Sequence, residues 1–165
     1  ENPSGKIVTF ACNWCSYAGA DFAGVSRLQY PPNARLIRTM CSGRVDESFI
    51  WRAFRLGAPV VLISGCHFGD CHYIDANHWT KKRVEKIWKR MERLGIRPER
   101  LQLEWVSAAE GLRWQAVMKT MEELRQSVTA EEIAATVALL SQPYKGKAPP
   151  LPKTPGPIME QRDPT

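Results

Sequence analysis

The residues of this chain that can do chemistry are five cysteines in three short segments. Cys12 and Cys15 form a C-x2-C motif, Cys41 stands in a Cys-Ser-Gly-Arg turn, and Cys66 and Cys71 form a C-x4-C motif. Thiolates bind iron and zinc and take part in redox reactions. An odd number of cysteines, without a secretion signal, argues against a disulfide scaffold and indicates metal or redox chemistry in a reducing compartment. We therefore expect a cytoplasmic protein.

Three kinds of cysteine site are compatible with these spacings. An iron–sulfur cluster needs four thiolates, a structural zinc accepts both spacings, and a C-x2-C motif after a strand resembles a thioredoxin dithiol. A dithiol leaves Cys41, Cys66 and Cys71 without a role. Zinc ligands usually come from hairpin knuckles rather than from the ends of parallel strands. The spacing matches neither of the two common ferredoxin patterns, so the residues alone leave the type of site open.

The three histidines are His67, His72 and His78, and two of them flank the last cysteine pair. A histidine can replace a thiolate as a cluster ligand, as in Rieske centres. Five cysteines make such a replacement unnecessary. We predict hydrogen-bonding or surface roles for all three.

Strands and helices are predicted to alternate along the chain. Hydrophobic patterning and cap residues predict strands at 6–12, 34–40, 59–64 and 101–106, and helices at 21–28, 45–56, 77–94, 110–125 and 129–140. The last helix opens with a capping box of Thr129 and Glu132. The apolar stripe of the third helix is predicted to consist of Val84, Ile87, Trp88, Met91 and Leu94. The order predicts a layered α/β fold, with a small parallel sheet of about four strands flanked by helices.

This fold would gather the cysteines. Cys12, Cys41 and Cys66 stand at the ends of the first three strands, and Cys15 and Cys71 lie in the loops after the first and third. The carboxyl ends of parallel strands lie along one edge, where open α/β sheets bind their ligands. Glycines in these loops let backbone N–H groups approach the sulfurs, and Arg44 is placed to offset negative charge. We therefore predict a single site built from all five thiols.

The carboxyl-terminal segment differs in composition from the rest of the chain. Seven of the 12 prolines fall there, at positions 143, 149, 150, 152, 155, 157 and 164. Such a segment cannot continue a helix or a sheet ladder. We predict an iron–sulfur α/β domain over residues 1–141 and a proline-rich extended tail over residues 142–165, either disordered or lying on a partner as an arm.

Composition and charge restrict the other classes of function. The chain has 165 residues, 44% of them hydrophobic, and a net charge of +6 from 23 basic and 17 acidic residues. A basic balance of this size is compatible with nucleic acid, an acidic protein partner, or simple solubility. No stretch is apolar enough for a membrane span, and the first residues do not form a signal peptide. The chain lacks an initiator Met, so we expect a processed chain or a piece of a longer protein. It contains no Ser/His/Asp constellation, Walker loop or GxGxxG motif.

Three motifs around the cysteines are characteristic of one known family. FACNWCSYAGAD (Phe10 to Asp21), TMCSGRV (Thr39 to Val45) and GCHFGDCHY (Gly65 to Tyr73) occur in this order. In them the sequence resembles the delta subunit of methyl-viologen-reducing hydrogenase. The resemblance covers about residues 6–125 and leaves the proline-rich tail unexplained.

The resemblance implies a function as an electron-transfer subunit carrying a 2Fe-2S cluster. Members of the family connect a hydrogenase, formate dehydrogenase or other oxidoreductase module to the flavin-bearing A subunit of heterodisulfide reductase, in complexes that perform electron bifurcation in methanogens and related anaerobes. The cluster role is carried over to Cys12, Cys15, Cys41, Cys66 and Cys71. We predict Cys66 and Cys71 on one iron, and Cys41 with Cys12 or Cys15 on the other. The fifth cysteine is then a spare thiol beside the cluster.

Two alternatives from other classes stay open at this stage. One is a zinc-stabilised nucleic-acid module that contacts phosphates with the basic helix face between Lys81 and Arg93. The other is a thioredoxin-like protein acting through Cys12 and Cys15. The leading interpretation is an electron carrier that is not itself catalytic, with protein partners and with neither nucleic acid nor a membrane. The basic helix face and the six tryptophans suit docking to other subunits.

Overall fold

A central parallel sheet organises the chain. The computed structural model describes residues 5–142. Its strands are β1 (Ile7–Cys12), β2 (Ala34–Thr39), β3 (Val61–Gly65) and β4 (Leu101–Trp105), all parallel, in the spatial order β2-β1-β3-β4. In the register, Val8 pairs with Arg35 on one side and with Val61 on the other. The predicted α/β fold with a small parallel sheet is therefore confirmed.

Five α-helices connect and cover the strands. They are α1 (Ser16–Val25), α2 (Glu47–Arg55), α3 (Ala76–Arg93), α4 (Gly111–Ser127) and α5 (Ala130–Ser141), and short 3-10 turns lie at Ser42–Arg44 and Pro98–Arg100. Asp46 caps α2, because its carboxylate accepts the Ser48 N–H at 2.8 Å. Gly57 and Gly95, with φ of 88° and 70°, end α2 and α3. None of the helices in this part of the chain has the length and apolar character needed to cross a bilayer.

The sheet separates two hydrophobic cores. On one face Phe10 and Ile63 pack with the apolar sides of α2 and α3, and on the other Ile7 and Leu62 pack with α1 and α4. Strand β3 is buried along its whole length. Its continuous apolar run therefore reflects helices on both faces.

A buried arginine attaches α5 to the amino-terminal edge of the sheet. The Arg100 guanidinium is fully buried and donates to the carbonyls of Pro59 at 2.7 Å and Ala58 at 3.2 Å, and to Thr136 Oγ1 at 2.6 Å. Burial lowers the pKa of Arg100, and Glu132, at 3.6 Å, opposes this effect. The contact with Thr136 joins the last helix to the domain.

Several predicted boundaries need correction. Helix α1 begins at Ser16, five residues before the predicted start, and ends at Val25. The run of small residues looked like a loop, but it lets α1 pack closely: a Cβ on Gly19 would lie 2.7 Å from the Ser107 carbonyl oxygen. The predicted β3 is shifted to Val61–Gly65. Leu94 lies just past the end of α3 with 36% of its surface exposed, so it does not continue the apolar stripe.

Two other predictions for the helices are confirmed in part. Trp88 is partly buried against the core, and its Nε1 donates to the Leu101 carbonyl at 2.8 Å. Half of the predicted capping box is present: Thr129 Oγ1 accepts the Glu132 N–H at 3.2 Å. The Glu132 carboxylate instead lies near Arg97 and Arg100. The predicted tail over residues 142–165 lies outside the described residues, apart from Gln142.

Candidate metal centre

The strand order places a crevice at the carboxyl edge between β1 and β3. The chain leaves β1 toward β2 on one side and returns across to β3 on the other, so the connections diverge at this point. Ligands of open α/β sheets bind at such switch points. Cys12 is the last residue of β1, and Cys66 directly follows β3. The topology therefore brings these two thiols to the place where a ligand is expected.

Three thiols form a compact buried group at this edge. The sulfurs of Cys12 and Cys66 are 3.8 Å apart. With Cys15 they form a set of ligand atoms that all lie within 4.8 Å of one another, and all three side chains are buried. In the part of the chain that the structure describes, this set consists of thiols alone, without a carboxylate or an imidazole. A donor set made only of sulfur is typical of zinc and iron–sulfur sites.

The remaining two cysteines border this group. Cys71 is partly buried and packs against the thiols of Cys12, Cys15 and Cys66. Cys41 is buried after β2, and its sulfur accepts the Gly43 N–H at 3.3 Å. The thiols of Cys12 and Cys71 add to the burial that raises the pKa of Cys41, so Cys41 lies close to both of them. The structure thus gathers all five predicted site residues at one edge.

Contacts within the group shift the pKa values of the buried thiols. Hydrogen bonds from Cys15 and then Cys66 hold the pKa of Cys12 far below its usual range, despite burial. The same contacts raise the pKa of Cys15, and the contact with Cys12 raises that of Cys66 to about 11. Burial, as the largest cause, raises the pKa of Cys41. Because metal binding requires thiolates, binding a metal through several of these sulfurs would release protons.

Two glycines make the close approach of the loops possible. A Cβ on Gly43 would lie 3.0 Å from the Ala76 Cβ, and one on Gly65 would lie 2.7 Å from Ser42 Oγ and 2.8 Å from Trp105 Cζ3. Gly65 therefore fixes the distance between the Cys41 turn and the end of β3. Its small size is required by packing, since no positive φ is involved.

The start of α3 holds two of the cysteine loops, and these contacts were not predicted from the sequence. Asn77 is fully buried, and its Nδ2 donates to the carbonyls of Cys66 at 3.1 Å and His67 at 2.9 Å. One turn later Thr80 Oγ1 lies 3.1 Å from Ser42 Oγ. Asn77 and Thr80 continue the buried stripe of α3 toward its amino terminus. Polar residues at those positions of an apolar stripe were the available signal.

The histidines support the loops around the thiols. His67 Nε2 lies 2.7 Å from the Glu110 carboxylate, which also accepts the Ser107 N–H. That backbone bond and then His67 hold the pKa of Glu110 below its usual range. The His72 ring stacks on Trp14 at 3.8 Å. His78 packs against the Phe68 ring at 4.4 Å. These contacts are consistent with the predicted hydrogen-bonding and surface roles.

Comparison with known proteins agrees with this arrangement. A family model described as the delta subunit of methyl-viologen-reducing hydrogenase matches residues 7–127. The iron-sulfur D subunit of the F420-non-reducing hydrogenase vhc of Methanococcus voltae is 53% identical over 118 residues, which are 72% of this chain and 82% of the relative. The iron-sulfur D subunit of the F420-non-reducing hydrogenase of Archaeoglobus profundus is 48% identical over 113 residues, 68% of this chain and 82% of the relative.

One relative contains this domain within a larger polypeptide. The A subunit of the Ferredoxin/F(420)H(2)-dependent CoB-CoM heterodisulfide reductase of Methanosarcina acetivorans is 47% identical over 122 residues, which are 72% of this chain but 15% of that protein. The resemblance found in the three cysteine motifs is thereby confirmed. The chain belongs to the family of the methyl-viologen-reducing hydrogenase delta subunit.

Proposed function

We propose that this chain is an electron-transfer subunit that carries a 2Fe-2S cluster on four of its five cysteines. The observation that carries the proposal is the buried group at the crevice between β1 and β3, in which the sulfurs of Cys12, Cys15 and Cys66 lie within 4.8 Å of one another and Cys71 packs against them. Cys41, which follows β2, lies close to this group. Relatives that are about half identical are called iron-sulfur subunits, and their names support this choice over zinc.

The residues present fit such a group. Iron–sulfur clusters are held by cysteine thiolates, and hydrogen bonds to the sulfurs tune their reduction potential. The site is buried and supplies soft sulfur donors, and the Gly43 N–H already donates to Cys41 Sγ. When bound, the cluster supplies reversible one-electron storage. The protein positions it, keeps it from water and sets its potential.

The ligand set is proposed from the family resemblance. Cys66 and Cys71 are assigned to one iron, and Cys41 with Cys12 or Cys15 to the other. The remaining thiol of the C-x2-C pair stays beside the cluster. Because five thiols are present and four bind, one cysteine is dispensable for cluster binding.

The proposed partners are proteins that donate and accept electrons. The acceptor is a flavoprotein resembling the A subunit of heterodisulfide reductase, because a segment 47% identical to this chain is part of that polypeptide in Methanosarcina acetivorans. The donor is a hydrogenase module, as the names of the hydrogenase relatives suggest, or a formate dehydrogenase or other oxidoreductase in its place. In such an assembly the chain serves electron bifurcation in the cytoplasm.

Cluster content tests the proposal directly. The full chain, produced and purified without oxygen, should contain two iron atoms and two sulfides per chain, absorb visible light and give an EPR signal after reduction. Cys→Ser substitution at each of the five positions should abolish the cluster in four variants and spare it in one. His67→Ala, next to Cys66 but outside the proposed ligand set, is the matched control and should retain the cluster.

Other outcomes would overturn the assignment. A colourless, EPR-silent protein with one zinc per chain would show a structural zinc site instead. A dithiol enzyme would lose its activity in Cys12→Ser while Cys66→Ser remained active. Cluster loss in His67→Ala, together with nitrogen hyperfine coupling in the EPR signal of the unmodified chain, would place an imidazole among the ligands.

A further inference from the structure

A cavity beside Cys41 opens on the carboxyl edge of the sheet. It has a volume of about 640 Å³, and Cys41 contributes to its wall. Met40, Tyr73 and Trp79 line it with apolar surface. All three side chains are strongly exposed, with Trp79 at 56%. An aromatic cavity that reaches one of the five thiols is thus open to a partner.

The charged groups in the wall of this cavity are positive. Arg44 and Arg83 line it, and no carboxylate of the described residues does. Arg83 is fixed in place, because its Nη1 donates to the carbonyls of Gly43 at 3.1 Å and Val45 at 2.8 Å. Arg44 is exposed. Asp46 lies near both arginines and offsets part of their charge. A partner surface that combines apolar side chains with carboxylates would complement this wall.

The loop next to this cavity presents an apolar side chain from an unfavourable backbone conformation. Ile74 has φ of 66°, a region that β-branched residues rarely adopt. Its side chain is 86% exposed, and its N–H donates to the Cys71 carbonyl at 2.9 Å. A glycine at this position would adopt the same φ without strain. The isoleucine side chain belongs to neither hydrophobic core, so packing within the domain does not explain it. Strained residues of this kind cluster at functional sites.

We propose that Met40, Arg44, Tyr73, Ile74 and Trp79, termed the rim patch, form the docking surface for the flavoprotein that exchanges electrons with this chain. The inference rests on the proposed function. It adds the docking surface on this chain and the chemistry of the matching surface on the flavoprotein, which is apolar and bears carboxylates. The relative in which such a segment shares one polypeptide with a heterodisulfide reductase A subunit favours that flavoprotein as the occupant. Docking there places the partner against Cys41.

The test replaces the iron-sulfur D subunit of the Methanococcus voltae vhc hydrogenase, 53% identical to this chain, with the tagged full chain. After anaerobic tag purification, the heterodisulfide reductase flavoprotein and the hydrogenase subunits are quantified by mass spectrometry, and iron and sulfide are measured per chain. Ile74→Gly should raise the Tm of the chain, because it relieves the backbone, yet recover at least fivefold less flavoprotein. Arg27→Gly is the matched control: Arg27, with φ of 55°, lies after α1, so this variant should raise the Tm and leave recovery unchanged.

A second pair of variants tests the contribution of positive charge to docking. Arg44→Glu should reduce recovery of the flavoprotein about tenfold in low-salt buffer, and the loss should shrink at high salt because the attraction is screened. Lys119→Glu makes the same charge change at an exposed position of α4 and should have no effect. Iron and sulfide content should be unchanged in Ile74→Gly, Arg27→Gly and Lys119→Glu. Because Arg44 is also expected to offset negative charge at the cysteine site, flavoprotein recovery with Arg44→Glu is divided by the iron content of that variant.

The outcomes separate this inference from the proposed function. Unchanged recovery in both Ile74→Gly and Arg44→Glu would refute the rim patch while leaving the cluster assignment intact. Loss of the hydrogenase subunits with retention of the flavoprotein would assign the patch to the other partner and overturn the inference. Self-association of the purified chain that Arg44→Glu abolishes would assign it to a second copy. An unmodified chain without iron would instead refute the proposed function.

Discussion

The substitution Gly65→Ala tests whether the carboxyl edge of the sheet is built to hold the cysteines at fixed distances. Gly65 is the last residue of β3 and precedes Cys66. An added Cβ would lie 2.7 Å from Ser42 Oγ, 2.8 Å from Trp105 Cζ3 and 3.0 Å from Ser42 Cβ. Ordinary contacts begin near 3.4 Å. Both the Ser42 and the Trp105 side chains, or the backbone of Gly65, must therefore move by about half an ångström or more.

The expected cost follows from what surrounds Ser42. Its side chain is buried and bonded to Thr80 Oγ1 at 3.1 Å, so it cannot swing into solvent without breaking that bond. Overpacking of this kind typically lowers the free energy of unfolding by about 1–3 kcal/mol. Because Ser42 directly follows Cys41, a shift of Ser42 is also expected to displace the Cys41 thiol. We expect Gly65→Ala to reduce both stability and cluster occupancy.

Gly24→Ala is the control for this experiment. It makes the same chemical change in α1, where a Cβ would meet nothing within 4 Å, and alanine in place of helical glycine should raise the free energy of unfolding by about 0.5–1 kcal/mol. Urea unfolding of the anaerobic protein gives the stability, and iron per chain gives the occupancy. If Gly65→Ala were as stable and as rich in iron as Gly24→Ala, the loops around the thiols would be adaptable rather than tightly packed, and the reasoning would be refuted.

Three further predictions concern the buried charges and the metal. The Arg125 guanidinium, as the main cause, lowers the pKa of Glu122 from 4.5 to about 2, so its ionised form adds up to about 3 kcal/mol at neutral pH. A carboxylate with a lowered pKa loses this contribution as the pH falls from 4.5 toward 2. Glu122→Gln should therefore weaken the protein at pH 7 but little at pH 2 in urea unfolding, whereas Glu123→Gln, at an exposed position, should have little effect at either pH. Arg100→Met should cost about 3–5 kcal/mol, because three buried acceptors lose their donor; hydrogen exchange in α5 should rise, and unchanged exchange would contradict its attachment through this residue. Anaerobic removal of iron with a chelator should lower the Tm, since a ligand bound only by the folded state stabilises it; an unchanged Tm would mean that the thiols hold no iron in the folded chain.

Much of the fold was readable from local pattern. The run at 59–64 is apolar throughout because β3 has helices on both faces, and its strand character was predicted despite a shift of two residues at its start. The stripe of Val84, Ile87 and Met91 faces the core as predicted. The start of α1 was not predicted, because Gly19 is a poor helix former and the small residues around it give no clear apolar stripe. The small size of Gly19 is explained by close packing against the loop after β4.

The candidate site divides in the same way. Its cysteines were identified from the residue type and from their positions at strand ends. The carboxyl ends of parallel strands lie at one edge of the sheet, whichever strands are neighbours. The supporting contacts of Asn77 and Thr80 were not found, because they join α3 to loops 11 and 38 positions away along the chain. A polar residue within an apolar stripe indicates a buried partner, but it does not indicate which distant segment supplies that partner.

The alternation of strands and helices, a thiol at the end of three of the strands, and membership of a family through three motifs could all be inferred from the amino-acid sequence. The order of the strands could not, and it came from the folded chain. This order brings Cys12 and Cys66 to 3.8 Å from each other and places Cys41 and Arg44 in the wall of one cavity. The physical reason is that helix and strand periodicity is set by neighbours along the chain. Strand order and the contents of a shared edge depend instead on which distant surfaces bury each other.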